Sequence, residues 1–310
     1  MKFDFTTRQT SKVKISIIII SYNNYNDIFN CVRSIKTNIA EPKYELIVID
    51  NASSEYNIYN LSKVFEDLKI IKNDINRGFA FACNQGAKIS EGEYLLFVNS
   101  DVIVTSNPIP SMLKLYNSGK TGIVGAQLIN SDGTLQPSYY NFPTVMKRIL
   151  ELSGLKKYLL KFYSTTRIRS EENFEVSVIK GAFMMIRKDL FSNLGMFDEN
   201  YFMYIEDVDL SLQVKKLGYK NYIFNTSSII HLGWHDENSQ NTFVYMNRNI
   251  GLIYYYKKNH SKIYFICFLI SSIVLLQIKK HYHRFIKRDL IESKLISNVL
   301  YYYYKGFDDK

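Results

Sequence analysis

Short apolar runs alternate with segments of helical spacing over the first part of the chain. The runs are rich in β-branched residues and several end in polar groups, which is typical of strands buried on both faces of a parallel sheet. They are Val13–Ile20, Glu45–Asp50, Lys69–Lys72, Tyr94–Asp101 and Thr121–Ile129. Helices are predicted between them, around Ile28 to Ile35, around Ile58 to Phe65, and after Pro108. This alternation predicts βαβ units and an α/β fold with a mostly parallel central sheet.

The regular pattern weakens between Asn130 and Glu175 and then returns. The weak segment is polar and rich in Tyr, and it either carries substrate contacts or is a peripheral excursion without chemistry. Val176–Arg187 is strand-like around Gly181. A glycine inside such a run indicates that the backbone closely approaches another group.

Polar residues follow the predicted strands at the points where they end. They are Ser21, Asp50, Asn76 to Phe79 and Asp101. The carboxyl ends of parallel strands form the edge at which such sheets bind ligands. Each residue alone is more often a turn or cap residue, but four such groups at one edge indicate a ligand site. The chain has Ser21-Tyr-Asn-Asn24 after its first strand, with no GxGxxG or GxxxxGK[ST] motif, so neither a dinucleotide fold nor a P-loop enzyme is supported.

Three carboxylates stand close together in the segment Tyr201–Leu210, directly after an aromatic run. Apolar positions continue as an amphipathic helix that ends at Gly218, so Glu206 and Asp207 are predicted to lie in its first turn. Acids at a helix start often do no more than complement the dipole. The preceding aromatic residues instead favour a walled cleft, in which a partly desolvated carboxylate can act as a base near neutral pH.

The cysteines and the charge restrict the class of protein and its compartment. The chain has 310 residues, of which 46% are hydrophobic, enough for one large domain or a domain with an appendage. Its three cysteines are far apart and form no CxxC pattern, which fits a reducing cytosol. The polar segment Met1–Lys14 has no apolar signal core, which argues against secretion. The net charge is +10, but no recognition motif accompanies it, so we expect no nucleic-acid partner.

An ordered set of segments resembles family 2 glycosyltransferases of the GT-A fold, most closely their bacterial rhamnosyltransferase-like branch. The segments are Ser16–Asn23, Leu46–Ser54, Asn76–Ala80 with Asn84, Phe97–Asp101, Lys180–Ala182 and Glu206–Leu210. No single segment is specific, but their order matches the family. The resemblance implies a GT-A domain over residues 1–259. It also implies inverting, single-displacement transfer of a sugar, rhamnose being one candidate, from a nucleotide-diphosphate donor to a saccharide or lipid-linked saccharide in cell-surface polysaccharide synthesis.

The resemblance assigns roles to single residues. On the donor side they are Ser21, Asn23, Asp50, Asn76, Arg77, Gly78, Phe79, Asn99 and Asp101, with Asp50 holding the nucleotide base. On the acceptor side they are Gly181, Ala182 and Trp234. Asp207 is expected to be the general base, with Glu206 sharing or exchanging that role.

A divalent metal, Mn²⁺ or Mg²⁺, is the implied cofactor, and Asp101 and His231 are its expected ligands. Asp101 matches the last acid of the family's Asp-x-Asp signature, and such hard cations prefer oxygen ligands and bridge a pyrophosphate. Asn99 replaces the first acid, which weakens the metal prediction. A lone histidine after an apolar run is usually a core or loop residue, but His231 stands where the family places a metal ligand, and imidazole can complete a Mn²⁺ shell.

Residues 260–310 are predicted to form a separate basic and apolar helical segment. The sixteen residues Ile263–Ile278 carry no charge, yet they span only about 24 Å as a helix, short of the roughly 30 Å hydrocarbon core. From Lys257 to Lys310, eleven Lys and Arg stand against four Asp and Glu, a net +7. The segment is either a buried helix of a helical subdomain or in peripheral contact with the inner membrane leaflet, and the charge favours the membrane.

The first hypothesis is therefore a metal-dependent inverting glycosyltransferase in the cytoplasm, at the cytoplasmic face of the cell membrane. The alternative is a noncatalytic sugar-nucleotide-binding or scaffold subunit with the same fold, and Asn99 is the one feature that favours it. A nucleotidyltransferase is a weaker option, because its glycine-rich basic loop is missing near the first strand. The enzyme hypothesis requires that Asp50, Asp101, Asp207 and His231 meet around one activated sugar.

Overall fold

Four parallel strands form the first half of the central sheet in a computed structural model, which describes residues 14–155, 172–233 and 242–308. They are β1 (Ile15–Ser21), β2 (Tyr44–Asp50), β3 (Leu68–Lys72) and β4 (Tyr94–Asn99). Their order in the sheet is β3-β2-β1-β4, and every neighbouring pair is parallel. The α/β class and these strand positions confirm the sequence prediction.

The second half of the sheet is mixed. It is built from β5 (Val102–Val104), β6 (Thr121–Ile129), β8 (Asn173–Val176), β10 (Phe183–Arg187) and β11 (Lys220–His231). The order continues β4-β10-β6-β11-β5, and β8 also pairs with β11. Because β10 is antiparallel to both neighbours, β6 and β11 again run parallel to β4. A separate small sheet joins β7 (Tyr139–Tyr140) to β9 (Val178–Ile179).

Helices cover both faces of the sheet. The helices before the C-terminal group are α1 (Tyr25–Asn38), α2 (Phe79–Ile89), α3 (Ile109–Lys114), α4 (Val145–Leu152), α5 (Lys188–Asn193) and α6 (Glu206–Lys216). Successive residues of β1 point to opposite faces, so Ile17 and Ile19 pack with the α1 side while Ile18 packs with the α2 side. This explains why the first strand is apolar throughout.

Two predicted elements differ from the structure. The expected helix near Ile58 is a short 3₁₀ helix, Ile58–Lys63, followed by a turn. The expected strand Val176–Arg187 is instead divided among β8, β9 and β10. The backbone leaves strand geometry around Gly181, where it meets Asp207 rather than a neighbouring strand.

The C-terminal helices pack against the N-terminal end of α6 and the residues that precede it. They are α7 (Thr242–Asn259), α8 (Lys262–His281) and α9 (Leu290–Asp308), with a π-helical turn at Tyr282–Lys287 between the last two. One hydrophobic cluster joins them to Tyr201, Ile205 and Val208. Because α7 and α8 share that cluster, the division of the chain at residue 259 stays a prediction.

Candidate active site

The carboxyl ends of β1, β2 and β4 place three predicted site residues side by side. Ser21 pairs with Asp50, and Ile20 pairs with Asn99, so the three strands end at nearly the same level. Polar residues that are distant in sequence therefore meet at one edge of the sheet, as the parallel arrangement requires.

Asp50 has one oxygen engaged and one free. Its Oδ1 accepts hydrogen bonds from the backbone N–H and the hydroxyl of Ser53, which hold the carboxylate still. Its Oδ2 is buried and has no hydrogen-bond partner among the described residues. A buried carboxylate oxygen without a donor is costly in a folded chain. This atom is therefore suited to receive a donor from a ligand.

Ser21 and Asn23 hold the loops together rather than presenting free side chains. The Ser21 hydroxyl is fully buried and donates to Asn24, and it also lies 2.6 Å from the Tyr56 hydroxyl. Asn23, at φ +49°, accepts from the backbone N–H of Ser54. The predicted contact of these two side chains with a nucleotide stays a prediction.

The segment Asn76 to Phe79 crosses over the same edge. Asn51 donates to Asn76 over 2.7 Å and to the Gly78 carbonyl, which fixes the segment to the end of β2. Gly78 has φ +92°, and a Cβ there would lie 2.2 Å from the backbone oxygen of Phe202. Only glycine fits this close backbone approach. Arg77 is exposed, and its guanidinium lies over the Phe81 ring at 3.7 Å from the centroid.

Asn99, Asp101 and His231 form a second group on the other side of Ser21. His231 is the last residue of β11, and its Nε2 lies 3.4 Å from Asp101 Oδ1 and 3.4 Å from Asn99 Nδ2. Burial alone would raise the pKa of Asp101, but the interaction with His231, helped by Lys180, brings that pKa below its ordinary value. The carboxylate form of Asp101 is therefore favoured.

This group fits a divalent metal bound jointly with a diphosphate. Two ligands about 2.1 Å from one ion and at right angles are about 3 Å apart, close to the separation of Asp101 Oδ1 and His231 Nε2. The described residues contain no cluster of three or more His, Cys, Asp or Glu that could hold a metal. Phosphate oxygens and water would have to complete the coordination, as is usual for Mg²⁺ on nucleotides.

Gln136 is a site residue that the sequence argument missed. Its Oε1 lies 2.6 Å from His231 Nδ1 and also accepts from Lys180, while its Nε2 donates to the His231 carbonyl. A tight turn at Gly133, φ +83°, returns the chain so that Leu135 pairs with Ile129. The signal in the sequence was Asp132-Gly133, a turn dipeptide directly after a predicted strand.

Asp207 and Glu206 occupy different surroundings although they are neighbours in the first turn of α6. Asp207 is only partly buried, and its two oxygens accept from the backbone N–H groups of Gly181, at 3.1 Å, and Val208. Glu206 is 6% exposed, and its Oε2 has no partner among the described residues. Burial, and to a lesser extent the nearby Glu206, raises the pKa of the Cys83 thiol on α2.

Both carboxyl groups have raised pKa values. Burial raises the pKa of Asp207, although the hydrogen bonds from Gly181 and Val208 and the charge of Lys180 oppose the shift. Burial and the neighbouring Asp207 charge raise the pKa of Glu206 well above its ordinary value. A carboxylate with a raised pKa is a better base near neutral pH than an ordinary one.

An unusual backbone sets the direction of this acidic pair. Tyr204 and Ile205 have φ +68° and +74°, in the left-handed region that β-branched residues rarely enter. Ile205 is held there by packing, since a Cβ on Gly251 of α7 would lie 3.1 Å from Ile205 and from the Tyr204 carbonyl. The C-terminal helices thus support the turn that presents Asp207.

Gly181 and Ala182 connect Asp207 to the group formed by Asn99, Asp101 and His231. Gly181 donates to Asp207, and the next carbonyl, of Ala182, accepts from the Asn99 backbone over 2.9 Å. A Cβ on Gly181 would lie 3.8 Å from the Phe79 ring, so the segment crossing β2 reaches the same place. The Ala182 side chain itself is 2% exposed and packs in the core. The predicted acceptor residue Trp234 lies outside the described residues.

Contacts join the four residues of the spatial prediction in part, and their meeting around one sugar stays a prediction. Asp101 and His231 are in direct contact, and Lys180 acts electrostatically on both Asp101 and Asp207. Asp50 connects to Asp207 through the chain of contacts from Asn51 to Gly78 and from Phe79 to Gly181.

A protein-family model for glycosyl transferase family 2 matches residues 16–195, more than half of the chain. The chain belongs to glycosyl transferase family 2. The predicted glycosyltransferase class is thereby confirmed, and nothing in the comparisons favours the noncatalytic alternative. The matched span contains the β1, β2 and β4 strand ends and Gly181, and it stops before the acidic pair of α6.

Two curated members of this family are similar to the chain over most of its length. Rhamnosyltransferase WbbL of Escherichia coli is 24% identical over 237 residues, which cover 73% of this chain and 86% of the relative. The N-acetylglucosaminyl-diphospho-decaprenol L-rhamnosyltransferase of Mycobacterium tuberculosis is 23% identical over 211 residues, covering 62% of this chain and 67% of the relative. These similarities support the rhamnosyltransferase-like branch of the family.

A solved structure confirms the GT-A fold of this family 2 chain. The crystal structure of GalNAc-T7 with UDP, GalNAc and Mn²⁺ aligns with a TM-score of 0.57 at 15% identity. The alignment covers 91% of this chain and 58% of that one. At this identity the similarity concerns the fold alone.

Proposed function

We propose that the chain is an inverting, divalent-metal-dependent glycosyltransferase that moves a hexosyl residue from a nucleoside-diphosphate donor to a saccharide hydroxyl. The observation that carries the proposal is that two consecutive residues, Gly181 and Ala182, contact Asp207 and the metal-binding group respectively. Gly181 holds Asp207, and Ala182 holds the end of β4 beside Asp101 and His231. Displacement at an anomeric carbon requires a base and a stabilised leaving group close together.

Asp207 acts as the general base in this proposal. It takes the proton from the acceptor hydroxyl while that oxygen forms a bond to the anomeric carbon of the donor sugar. The bond from that carbon to the diphosphate oxygen breaks, and its electron pair leaves with the nucleoside diphosphate. Attack opposite to the leaving group inverts the anomeric configuration.

The other residues bind and orient. Asp101 and His231 would hold Mn²⁺ or Mg²⁺, which when bound supplies positive charge to the departing diphosphate. Asp50 offers its free, buried Oδ2 to an N–H of the nucleotide base. Asn51 and Asn76 hold the segment that covers the donor, and Lys180 adds positive charge between the two halves of the site.

The names of the relatives favour one donor sugar and one acceptor class. Both are rhamnosyltransferases, and the mycobacterial name specifies a diphospho-decaprenol acceptor. We therefore propose rhamnosyl transfer to a polyprenyl-diphosphate-linked saccharide in cell-surface polysaccharide synthesis. For such an acceptor, we propose that the enzyme works at the cytoplasmic face of the cell membrane, in peripheral contact with the inner leaflet.

A donor panel tests the proposal. Purified full-length protein is incubated with UDP-, GDP- and dTDP-sugars and Mn²⁺, and thermal stabilisation identifies the donor. That donor is then offered with a polyprenyl-diphosphate-linked saccharide, and the anomeric configuration of the product is read by NMR. We expect inversion, loss of transfer in chelator and recovery with Mn²⁺. Retention of configuration, full rate in chelator, or donor binding without transfer or donor hydrolysis would each contradict the proposal.

A further inference from the structure

An apolar ridge runs along the solvent side of α8. Five of its exposed residues recur at spacings of four, three, four and four, so they form one line along the helix. They are Ile263, Cys267, Ile270, Val274 and Ile278. The buried residues of the same helix, among them Phe265, Phe268 and Leu276, lie on the opposite side. The outer face of α8 is thus as apolar as its inner face.

Further exposed apolar residues follow α8 along the chain. In the π-helical turn Phe285 and Ile286 are 63% and 70% exposed, and at the start of α9 Leu290 and Ile291 are 68% and 84% exposed. A water-facing surface would not retain so many large apolar side chains in a row. We call the five exposed apolar residues of α8, together with these four, the apolar ridge.

Basic residues alternate with the C-terminal part of the apolar ridge. The segment Lys279–Arg288 contains five Lys or Arg and no Asp or Glu, and Arg284, Lys287 and Arg288 are exposed. A protein partner would have to combine a long apolar surface with a dense acidic one. The surface of an anionic bilayer offers both features at once, since its phosphates are negative and its acyl chains begin just beneath them.

We propose that the apolar ridge lies in the headgroup region of an anionic lipid bilayer, with the axis of α8 parallel to the membrane plane. The proposal deepens the proposed function and rests on it for its purpose, because a polyprenyl-linked acceptor is presented at that surface. Arg284, Lys287 and Arg288 bind lipid phosphates, while Ile270, Ile286 and Ile291 enter the acyl boundary.

An alternative orientation, across the membrane, conflicts with the packing of α8. Among the described residues one helical stretch, Lys262–Lys287, is long and apolar enough to cross a membrane by length and composition. Its inner face, however, is packed against α4, α7 and α9. Arg148 of α4 is buried in that assembly, where it donates to Asn249 and Tyr303. Crossing the bilayer would carry this guanidinium and its partners into hydrocarbon.

Ion pairs on both sides of α8 also favour the in-plane orientation. Just before the helix, Lys258 pairs with Asp198 and Asp209 at 2.7 Å each, which ties the start of α8 to the catalytic part. At its end, Lys279 lies 3.3 Å from Glu292 of α9. Helix α9 then folds back along α8, and near its end a Cβ on Gly306 would lie 3.4 Å from Leu269. Neither end of α8 is free to move to the far side of a bilayer.

Vesicle flotation of the full-length protein tests the proposal. We expect binding to vesicles containing phosphatidylglycerol and weak binding to pure phosphatidylcholine, with the difference lost at high salt. The double variant Ile286→Glu/Ile291→Glu and the double variant Arg284→Glu/Lys287→Glu should each lower binding about tenfold or more. The control Val64→Glu changes a side chain that is 58% exposed on another part of the surface and should bind as the unaltered protein does.

Cys267 provides a depth probe. It is the exposed cysteine of the ridge, whereas Cys31 and Cys83 are buried, so a thiol-reactive fluorophore attaches there in the unaltered chain. An in-plane helix predicts quenching by lipids spin-labelled near the headgroup and little quenching by lipids labelled at the bilayer centre.

The outcomes separate this proposal from the proposed function. Absence of vesicle binding, equal binding to anionic and neutral vesicles, or quenching mainly by lipids labelled at the bilayer centre would overturn the in-plane ridge, whatever the transferase activity. A dimer in sedimentation that Ile270→Glu dissociates, without vesicle binding, would assign the ridge to a second copy and overturn it too. The ridge variants should retain transfer to a soluble saccharide acceptor, because none of the substituted residues contacts the acidic pair.

Discussion

The Oε1 atom of Gln136 lies 2.6 Å from the ring Nδ1 of His231. Because an amide oxygen only accepts hydrogen bonds, Nδ1 carries a proton, and Nε2 is the ring nitrogen that faces Asp101. The Gln136 amide also donates to the His231 carbonyl, so it fixes the ring and its backbone together. Outer partners of this kind orient ligating histidines in metal sites generally.

Replacing Gln136 by Leu should weaken the binding of Mn²⁺ about 10- to 100-fold, the usual cost of losing such an outer partner. The measurement is a titration of free Mn²⁺ by electron paramagnetic resonance in the presence of a nucleoside diphosphate. Gln136→Glu keeps an acceptor for Nδ1 and should bind Mn²⁺ nearly as the unaltered protein does. Asn130→Ala removes a partner of the Gln136 Nε2 and a hydrogen bond to Thr134 but leaves both contacts of Gln136 with His231, so it serves as control. Unchanged Mn²⁺ affinity in the Leu variant would exclude this role for Gln136.

Asp207 and Glu206 should respond very differently to loss of charge. Asp207→Asn removes the proposed base and should lower kcat about 10²- to 10⁴-fold, while donor binding by thermal shift is kept. Glu206 is buried with a strongly raised pKa, so Gln imitates its protonated form and should retain most of the rate. Asp189→Asn, at an exposed ion pair on α5, is the carboxylate control. Equal loss in the two single variants would assign the proton transfer to the pair rather than to Asp207.

The same buried carboxyl makes stability depend on pH in an uncommon direction. Glu206 has a folded pKa well above its ordinary 4.5, so above pH 4.5 the folded state binds more protons than the unfolded state. Stability contributed by the neutral form is therefore complete below that pH and is lost as pH rises towards the folded pKa. Glu206→Gln removes this loss, and its Tm advantage over the unaltered protein should grow from pH 5 to pH 8. A constant difference would show that Glu206 does not titrate differently on folding.

The sequence predicts those parts of the site that depend on local patterns, and not those that depend on contacts between distant segments. The edge formed by Ser21, Asp50 and Asn99 follows from apolar runs that end in polar residues, because parallel strands align their carboxyl ends. The position of Gln136 depends on a turn that returns the chain against β6, and hydrophobic periodicity carries no signal for such a return.

The spacing of residues along the chain also could not predict that Glu206 and Asp207 have different surroundings. Both stand in the first turn of α6, and spacing alone makes them equivalent. Their directions are set by the positive φ angles of Tyr204 and Ile205, which packing against α7 stabilises. A backbone conformation opposed to local preference is imposed by tertiary contacts, so the sequence favours the wrong conformation for Ile205.

Gly78 should be sensitive to a single methyl group. Gly78→Ala would place a Cβ 2.2 Å from the Phe202 carbonyl oxygen, a backbone atom that cannot move away by rotating a side chain. Gly119→Ala is a matched control, since φ is +81° there but nothing lies within 4 Å. The control should cost about 1–2 kcal/mol of unfolding free energy for its backbone conformation, and Gly78→Ala clearly more. Urea unfolding measures both, and equal costs would exclude the close contact.

Asp50 should govern the affinity for the donor and not the chemical step. Its Oδ1 is held by Ser53, and its buried Oδ2 is left for a donor group of the nucleotide base. Asp50→Asn offers the nucleotide base either a neutral amide oxygen or an N–H group in place of the charged oxygen. The donor KM should therefore rise about tenfold or more, since a hydrogen bond to a charged group contributes roughly 1.5–3 kcal/mol. The measurement is the donor KM and kcat at saturating acceptor, with Asp189→Asn as control. Because the proposed general base, Asp207, and the metal-binding residues are unchanged, kcat should change little. A fall in kcat at unchanged KM would place Asp50 in catalysis instead of nucleotide binding.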